Sequence, residues 1–338
     1  MEKNKRQKKE IPSYLKDFSF SDDARKIINS SSIFNKKGFG LWSFKKLIFL
    51  EYYIKPYLLI LSNRYRKKCY FIDFFSGCGA NSIEKEKINS IGSPLVSLLK
   101  GVIHNKSKNL NNRFFKWIFV EINSDFCDAL QKRIDQTCKI IKERTGETLV
   151  NGQDIEVIPG DVNISIDKLV SKLEEESKSE EIAVLAFIDP YKFSAIQWET
   201  VKKLLHLRYV DVIFTMPTGT LRRGGDTCKQ KEKFLSPSLL SACSNKRFCD
   251  IPEENLGELY AKDIVNVMGR SISFFEKGAS VRNSTNAEIY RIELFSHSNK
   301  AVQIAETITK KLDKINYNTL KKILDQAKGE QKTITEYK

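Results

Sequence analysis

Short apolar runs of strand length alternate with helical patterns along the middle of this 338-residue chain. Each run is followed by polar or turn-forming residues, and the segments between the runs space their apolar residues as a helix does. We predict strands at YFIDF 70–74, KWIFVE 116–121, IEVIP 155–159, AVLAFID 183–189 and VDVIFTM 210–216. Several of these runs are apolar on both faces, which is typical of strands covered by helices on each side. The alternation therefore predicts an α/β fold with a doubly wound, mostly parallel sheet.

Helical patterns fill the segments around these strands. The first helix is predicted from Leu41 to about Ser62, where Pro56 is expected to bend or break it. Further helices are predicted over 94–102, 124–144, 164–176, 194–207 and 253–268. These helices are expected to cover the two faces of the sheet.

The two ends of the chain carry additions to this unit. We predict a basic flexible arm over 1–10, a helical extension over 11–66, a main domain over 67–320 and a polar tail over 321–338. An insertion rich in Gly, Lys, Arg and Ser occupies 217–250, after the fifth strand. Beyond it, the runs ISFFEKGASV and AEIYRIELFSHS are expected to pair as an antiparallel edge, and a closing helix follows them.

The charge of the chain points to an anionic partner. The formal net charge is +15 and the isoelectric point is near 9.3. Soluble domains usually lie closer to balance, so an excess of Lys and Arg favours contact with nucleic acid. A Lys-rich proteome or a basic tail is the alternative explanation.

Several classes of protein are disfavoured by the composition. No stretch approaches the roughly 20 apolar residues that a membrane span needs, and the first ten residues lack the apolar centre of a signal peptide. The seven cysteines show no short paired spacing of the zinc type, and the three histidines lie far apart. We therefore expect a cytoplasmic protein with reduced thiols and no metal site.

A glycine turn follows the first predicted strand, in the sequence IDFFSGCG. Gly77 and Gly79 allow a sharp turn and a close approach of the backbone to a ligand, and Asp73 is expected to face that ligand. A dinucleotide fingerprint needs a third glycine where Ser82 stands, and no phosphate-binding P-loop is present in the sequence. The remaining pattern, an acid followed by Gly-x-Gly, occurs in methyltransferases that use S-adenosylmethionine. The alternative is a glycine turn after a buried strand with a capped Asp.

Acidic residues also close the following strands. Glu121 ends the second predicted strand, where a carboxylate can accept hydrogen bonds from ribose hydroxyls. Asp161 follows the third strand and can accept from an adenine amine, or it can cap a helix instead. Asp189 follows the fourth strand. Because parallel strands end at the same edge of a sheet, these acids are expected to line one crevice with Asp73.

The turn Asp189-Pro190-Tyr191 suits the methylation of an exocyclic amine, because amino-methylating enzymes use an Asp-Pro-aromatic turn at this strand end to position the amine. An exocyclic amine on an aromatic ring is a poor nucleophile because its lone pair is delocalised into the ring. The Asp189 carboxylate and the Pro190 carbonyl can accept its two hydrogens while Tyr191 stacks on the ring, so catalysis is orientation with electrostatics. In amino-methylating enzymes this motif usually has two prolines, and this chain has one. A proline-induced turn with a packed Tyr is the alternative.

Basic residues cluster in two places that can contact a phosphate backbone. One is RYRKK at 64–68. The other lies in the insertion, where Arg222, Arg223 and Lys229 are the predicted substrate-binding residues, with Lys231 and Lys233 nearby. Solvated surface charge is the alternative. A base within a duplex would have to be extruded to reach Tyr191.

Together these segments resemble the three-Cys-motif partner protein family, a bacterial group of methyltransferase-like proteins. The matching stretches span most of residues 42–308: KKLIFLEYY, IDFFSGCGANSI, IGSPLVSLL, FVEIN, GDVN, FIDPYKFSAIQWETV, IFTMPTG and YRIELFSHSNKAVQIAETI. The most specific of them are FIDPY followed by WETV, and GSPL after the glycine turn. Family members often have Gly-Pro-Gly in that turn, where this chain has Gly77-Cys78-Gly79.

The resemblance implies a class I methyltransferase fold, S-adenosylmethionine as cofactor and a partner protein with a three-cysteine motif. The residues expected at the cofactor are the acids at the strand ends and their neighbours: Asp73, Phe75, Ser76, Gly77, Cys78, Gly79, Glu121, Ile122, Asp161 and Val162. The Asp189 turn is expected beside them.

The sequence thus predicts an S-adenosylmethionine-dependent N-methyltransferase that acts on a nucleobase amine in DNA or RNA. A methyltransferase-fold binding subunit, which serves the partner protein without transferring methyl groups, is the main alternative. Methylation of a small molecule or a protein is a third, which the positive charge disfavours.

Overall fold

A computed structural model describes residues 16–36, 39–64, 67–102, 113–219, 232–243, 253–268, 273–274 and 278–325. The predicted arm over 1–10 lies outside these residues, as do the predicted substrate-binding residues Arg222, Arg223 and Lys229.

One large sheet forms the centre of the fold. The strands are β1 (Lys68–Asp73), β2 (Ala80–Ile83), β3 (Ile88–Ile91), β4 (Lys116–Glu121), β5 (Ile155–Pro159), β6 (Ile182–Ile188), β7 (Val210–Met216), β8 (Ser273–Phe274), β9 (Ala279–Arg282) and β10 (Glu288–Ser296). The sheet has the order β5-β4-β1-β6-β7-β10-β8, and β9 also pairs with β10. Neighbours from β5 to β7 are parallel, whereas β10 is antiparallel to β7, β8 and β9. Strands β2 and β3 form a separate hairpin.

Helices cover both faces of this sheet. They are α1 (Asp22–Ile28), α2 (Ser43–Leu58), α3 (Ser93–Gly101), α4 (Ser124–Thr145), α5 (Val162–Ser179), α6 (Trp198–Leu205), α7 (Pro237–Cys243), α8 (Glu253–Met268), α9 (Asn299–Leu312) and α10 (317–325). Alternate residues of β1 belong to different cores: Phe71 lies in the core that includes α2, α3, α4 and α9, and Ile72 lies in the core that includes α5, α6 and α8. The predicted doubly wound, Rossmann-like α/β fold with an antiparallel C-terminal edge is confirmed.

Helix α2 continues past its proline. Pro56 lies inside α2, which continues for two residues and then changes to a π-helical turn at Leu59–Arg64. Proline removes one hydrogen bond of a helix, and here the change of helix type follows within one turn. Phe44, Leu47 and Leu50 of α2 are buried in the same core as the sheet. The predicted extension is therefore packed into the main domain.

The predicted polar tail starts too early. Residues 317–325 form a helix, and its Leu320, Ile323 and Leu324 are buried in the core that contains α2 and α9. The boundary at 321 was wrong because two lysines, Lys321 and Lys322, face outward within an otherwise core-facing turn.

The described residues contain no helix that is both long and apolar enough to cross a membrane. Within the same ranges, no three His, Cys, Asp or Glu side chains come together in a group that could hold a metal ion.

Candidate functional site

The four predicted acids lie at one edge of the sheet. Asp161 follows β5, Glu121 ends β4, Asp73 ends β1 and Asp189 follows β6, and these four strands are neighbours in that order. Because the strands are parallel, their carboxyl ends share an edge, and a ligand at this edge would meet the loops that follow the strands.

Asp73 is turned inward rather than toward open space. Its side chain is fully buried, and its Oδ1 accepts a hydrogen bond from the Phe75 backbone N–H at 3.1 Å. Burial raises the pKa of Asp73 to about 7, although hydrogen bonds from the Ser93 side chain and Phe75 oppose this rise. The expectation that Asp73 faces a ligand is therefore corrected: the chain folds around this carboxylate, which holds the start of the turn.

The glycine turn is shaped by the protein's own side chains. Gly77 and Gly79 have φ values of 60° and 76°, in the left-handed region that favours glycine. A Cβ on Gly77 would lie 2.3 Å from Asn35 Nδ2, and a Cβ on Gly79 would lie 2.9 Å from Leu130 Cδ1. The glycines are thus required by the left-handed backbone and by close approach, and on these sides the approaching atoms belong to Asn35 and Leu130. The predicted close approach of the turn to a ligand stays a prediction.

A buried arginine fixes the outer side of the turn. The Arg133 guanidinium, from α4, donates to the carbonyl of Cys78 at 2.7 Å and to the carbonyls of Ser31 and Ile33 at 2.8 and 2.7 Å. Cys78 itself is fully buried. Charged hydrogen bonds to buried carbonyls are strong, so Arg133 ties the segment after α1 to the glycine turn. Sequence reasoning did not find this residue.

Glu121 connects the turn to the next strand end. Its Oε2 accepts from the Gly77 backbone N–H and its Oε1 from the Asn123 backbone N–H, both at 2.8 Å. Burial raises the pKa of Glu121, and these backbone donors oppose the rise. The next residue, Ile122, is 70% exposed. A half-buried carboxylate is therefore followed in sequence by an exposed apolar side chain.

Asp161 caps α5, which is the structural role that the sequence left open. Its Oδ1 accepts from the Asn163 backbone N–H at 2.8 Å and from the Asn163 side chain. The Asn163 side-chain oxygen in turn accepts from Gln197 and Thr200, so the cap is joined to the start of α6. Val162 is buried.

One apolar side chain near this cap was not predicted. Ile164, in the first turn of α5, is 80% exposed. Ile122 and Ile164 are two of the few large apolar side chains left exposed in the described residues, and each follows a strand at the carboxyl edge. Exposed apolar groups and a half-buried carboxylate at the same edge of a sheet are typical of a ligand-binding surface.

The Asp189 turn exposes an aromatic ring to solvent. Asp189 is partly buried and Pro190 is buried, but Tyr191 is 73% exposed, and Lys192 Nζ lies 5.3 Å from the centre of its ring. The alternative of a packed tyrosine is thus excluded. An exposed aromatic ring of this kind can stack on a flat ligand.

Asp189 has a partner that sequence reasoning missed. The Lys46 ammonium, from α2, makes an ion pair with Asp189 Oδ2. Phe39 and Tyr290 present their rings to the same ammonium, with 5.1 and 5.9 Å between Nζ and the ring centres. The one sequence signal for this partner was a charged residue, Lys46, among the apolar residues of α2. In the structure these neighbours are buried.

No family model matches this chain, and no curated protein matches it. Among solved structures, the chain is similar to the crystal structure of protein LPL1258 from Legionella pneumophila str. Philadelphia 1, assigned to family-model DUF519. That similarity has a TM-score of 0.40 at 10% sequence identity, and it covers 78% of this chain and 91% of the other.

Proposed function

We propose that this protein binds S-adenosylmethionine at the carboxyl edge of its sheet and methylates an exocyclic amine of a nucleobase in DNA or RNA. The observation that carries the proposal is the open Tyr191 ring next to Asp189, at the same edge as Glu121 and the glycine turn. The positive charge and the resemblance to the three-Cys-motif partner family support the same function.

The residues around β4 and β5 suit the adenosyl part of this cofactor. Glu121 lies where its carboxylate can exchange backbone donors for ribose hydroxyls, and Ile122 and Ile164 offer apolar sides to a purine. The Asp161 carboxylate can accept from an adenine amine while it caps α5. Asp73 acts behind them, by holding the turn. When bound, S-adenosylmethionine supplies an electrophilic methyl group.

The turn after β6 suits the acceptor. The Asp189 carboxylate and the Pro190 carbonyl would accept the two hydrogens of a ring amine, which directs its lone pair out of the ring plane. Tyr191 would stack on the ring, and because it is exposed it can reach an extruded base.

Calorimetric titration with S-adenosylmethionine tests the cofactor. We expect binding by the purified protein and at least tenfold weaker binding by Glu121→Ala, because the ribose hydroxyls lose their acceptor. Glu143→Ala, an exposed change on α4, is the matched control and should bind as the wild type does. Absence of binding, or equal binding by both variants, would contradict the proposal.

Transfer of labelled methyl groups to single-stranded RNA and DNA tests the chemistry. We expect Asp189→Ala to lose transfer by at least about a hundredfold and to keep cofactor binding, since in the proposed arrangement Asp189 contacts the acceptor and not the cofactor. Asp128→Ala, exposed on α4, should transfer normally. Unchanged transfer in Asp189→Ala would rule out the assigned role.

One observation favours a second candidate. The Lys46 ammonium already occupies one oxygen of Asp189, where an acceptor amine is expected. A methyltransferase-fold subunit that binds nucleic acid or cofactor on behalf of a three-cysteine-motif partner would keep this arrangement without turnover. A stable copurified complex, with no transfer by either protein alone and none by the complex, would favour this candidate.

A further inference from the structure

The ion pair between Lys46 and Asp189 joins two distant parts of the chain at the proposed acceptor site. The two residues are 143 positions apart in sequence, and their side chains are 13% and 15% exposed. Each group is therefore mostly shielded from water but still reaches the surface on which Tyr191 stands. A pair of this kind is less screened than a surface salt bridge.

The pair leaves hydrogen-bonding capacity unused. An ammonium has three donors and a carboxylate has two oxygens, and the contact between the two residues engages one donor and Oδ2. Among the described residues, neither the other ammonium hydrogens nor Asp189 Oδ1 makes a further hydrogen bond within the protein. The pair thus offers a ligand one hydrogen-bond donor, the Lys46 ammonium, directly beside one acceptor, Asp189 Oδ1.

The Lys46 ammonium is held in place by helix α2 and by two aromatic rings. Lys46 lies on α2, whose Leu47 and Leu50 are buried in the core, so its backbone is fixed. The Phe39 and Tyr290 rings flank the ammonium, and the Tyr290 hydroxyl donates to the Trp42 carbonyl at 2.7 Å, which anchors that ring to the start of α2.

We propose that Lys46 and Asp189 act together as a substrate-binding pair that reads the amidine edge of an aminated nucleobase. In such an edge a ring nitrogen, which accepts, lies next to an exocyclic amine, which donates. Lys46 donates to the ring nitrogen and Asp189 Oδ1 accepts from the amine. Adenine N1 with N6, cytosine N3 with N4, and guanine N3 with N2 present this edge.

The inference rests on the proposed function, because it assumes a base at Tyr191, and it adds what selects and orients that base. A carboxylate alone leaves the amine free to rotate about one contact, whereas two adjacent contacts fix the ring in its plane. A site built to hydrogen-bond a ligand atom also rejects analogues that lack it, since its own polar group is left unpaired.

Deazanucleotides test the pair directly, since they replace the ring nitrogen by C–H and keep the amine and the shape. The probes are one mixed-sequence single-stranded oligonucleotide, as RNA and as DNA, with 1-deazaadenine, 3-deazacytosine or 3-deazaguanine in place of the natural base. Fluorescence anisotropy gives the Kd and labelled methyl transfer gives kcat/KM. The proteins are the wild type, Lys46→Met, Lys46→Arg and the control Lys55→Met, which changes an exposed lysine on the same helix.

We expect one of the three deaza probes to weaken wild-type binding at least fivefold, which also identifies the base. Lys46→Met should bind the natural and deaza probes equally, Lys46→Arg should recover part of the discrimination because it keeps the donors, and Lys55→Met should behave as the wild type does. The proposal is overturned if the deaza penalty is the same in the wild type and in Lys46→Met, or if no deaza probe has any effect.

The two readouts separate this inference from the proposed function. Discrimination in binding that depends on Lys46, without any methyl transfer, would support the pair and reject the enzyme. Methyl transfer with no dependence on Lys46 or on the ring nitrogen would support the enzyme and reject the pair.

Discussion

Asp73 shows at the residue scale how burial makes a carboxylate depend on pH. Its pKa is raised from 3.8 to about 7, first of all by desolvation. In the unfolded chain this acid loses its proton near pH 4, whereas in the fold it keeps the proton up to about pH 7. The folded state therefore binds more protons between these values, and stability falls as the pH rises through that window.

We predict that Asp73→Asn removes this dependence. Relative to the variant, the wild type should lose stability between about pH 4 and pH 7, by at most about 4 kcal/mol, and the difference should be constant above pH 7. Urea unfolding at a series of pH values measures it. Asp128→Asn, an exposed change, should keep the profile of the wild type. A difference that stays flat from pH 4 to 7 would contradict the predicted protonation of Asp73.

Residue types at the site were predictable, but their partners were not. The sequence identified Glu121, Asp161 and Asp189 because each follows an apolar run, and strand ends share an edge. It missed Lys46 and Arg133 because their contacts lie 143 and 55 residues away, and no local pattern encodes such distances.

At the scale of elements, the glycine turn is limited by space as much as by backbone conformation. A Cβ on Gly79 would meet Leu130 and Leu95, both fully buried, at 2.9 and 3.3 Å. Gly152 has a similar positive φ of 84° but nothing within 4 Å of its Cβ position. A comparison of alanine variants at the two glycines therefore isolates the effect of close packing.

We predict that Gly79→Ala lowers the free energy of unfolding by about 1–3 kcal/mol more than Gly152→Ala does. Both variants share the cost of a left-handed alanine, about 1–2 kcal/mol. Denaturant unfolding measures each. Equal losses at the two positions would mean that Leu130 and Leu95 yield without cost.

Arg133 joins α4 to the segment after α1 and to the glycine turn. We predict that Arg133→Met lowers the free energy of unfolding by about 3–5 kcal/mol, because several buried carbonyls lose a charged donor at once. Lys132→Met, its exposed neighbour on the same helix, should change stability by less than about 0.5 kcal/mol. Thermal and urea unfolding measure both, and a loss below 1 kcal/mol for Arg133→Met would contradict the role of this contact.

Long elements were predicted well and short ones were not. The bounds of β5 and β7 agree with the predicted 155–159 and 210–216, since each is a compact apolar run. The β2–β3 hairpin was missed: its strands ANSI and INSI are short and half polar. Lys87, with φ 52°, takes a left-handed position in its turn where glycine would have been a signal.

At the scale of the whole molecule, the net charge of +15 sets how binding should respond to salt. We predict that affinity for single-stranded RNA or DNA falls at least about tenfold between about 0.1 and 0.3 M NaCl, because bound counterions are released. Fluorescence anisotropy at several salt concentrations measures it. Calorimetry with S-adenosylmethionine at the same concentrations is the control and should change little. An affinity that is independent of salt would favour a small-molecule or protein acceptor.

Both ends of the chain contribute to the surroundings of Asp189. Lys46 comes from α2, and the Tyr290 hydroxyl of β10 reaches the Trp42 carbonyl, 248 residues earlier in the sequence. During synthesis, a nascent chain that has exposed only its first two hundred residues has Asp189 but still lacks the strand that brings Tyr290 to this lysine. The surroundings of the Lys46–Asp189 pair, where the acceptor is proposed to bind, are thus completed only after β10 has left the ribosome.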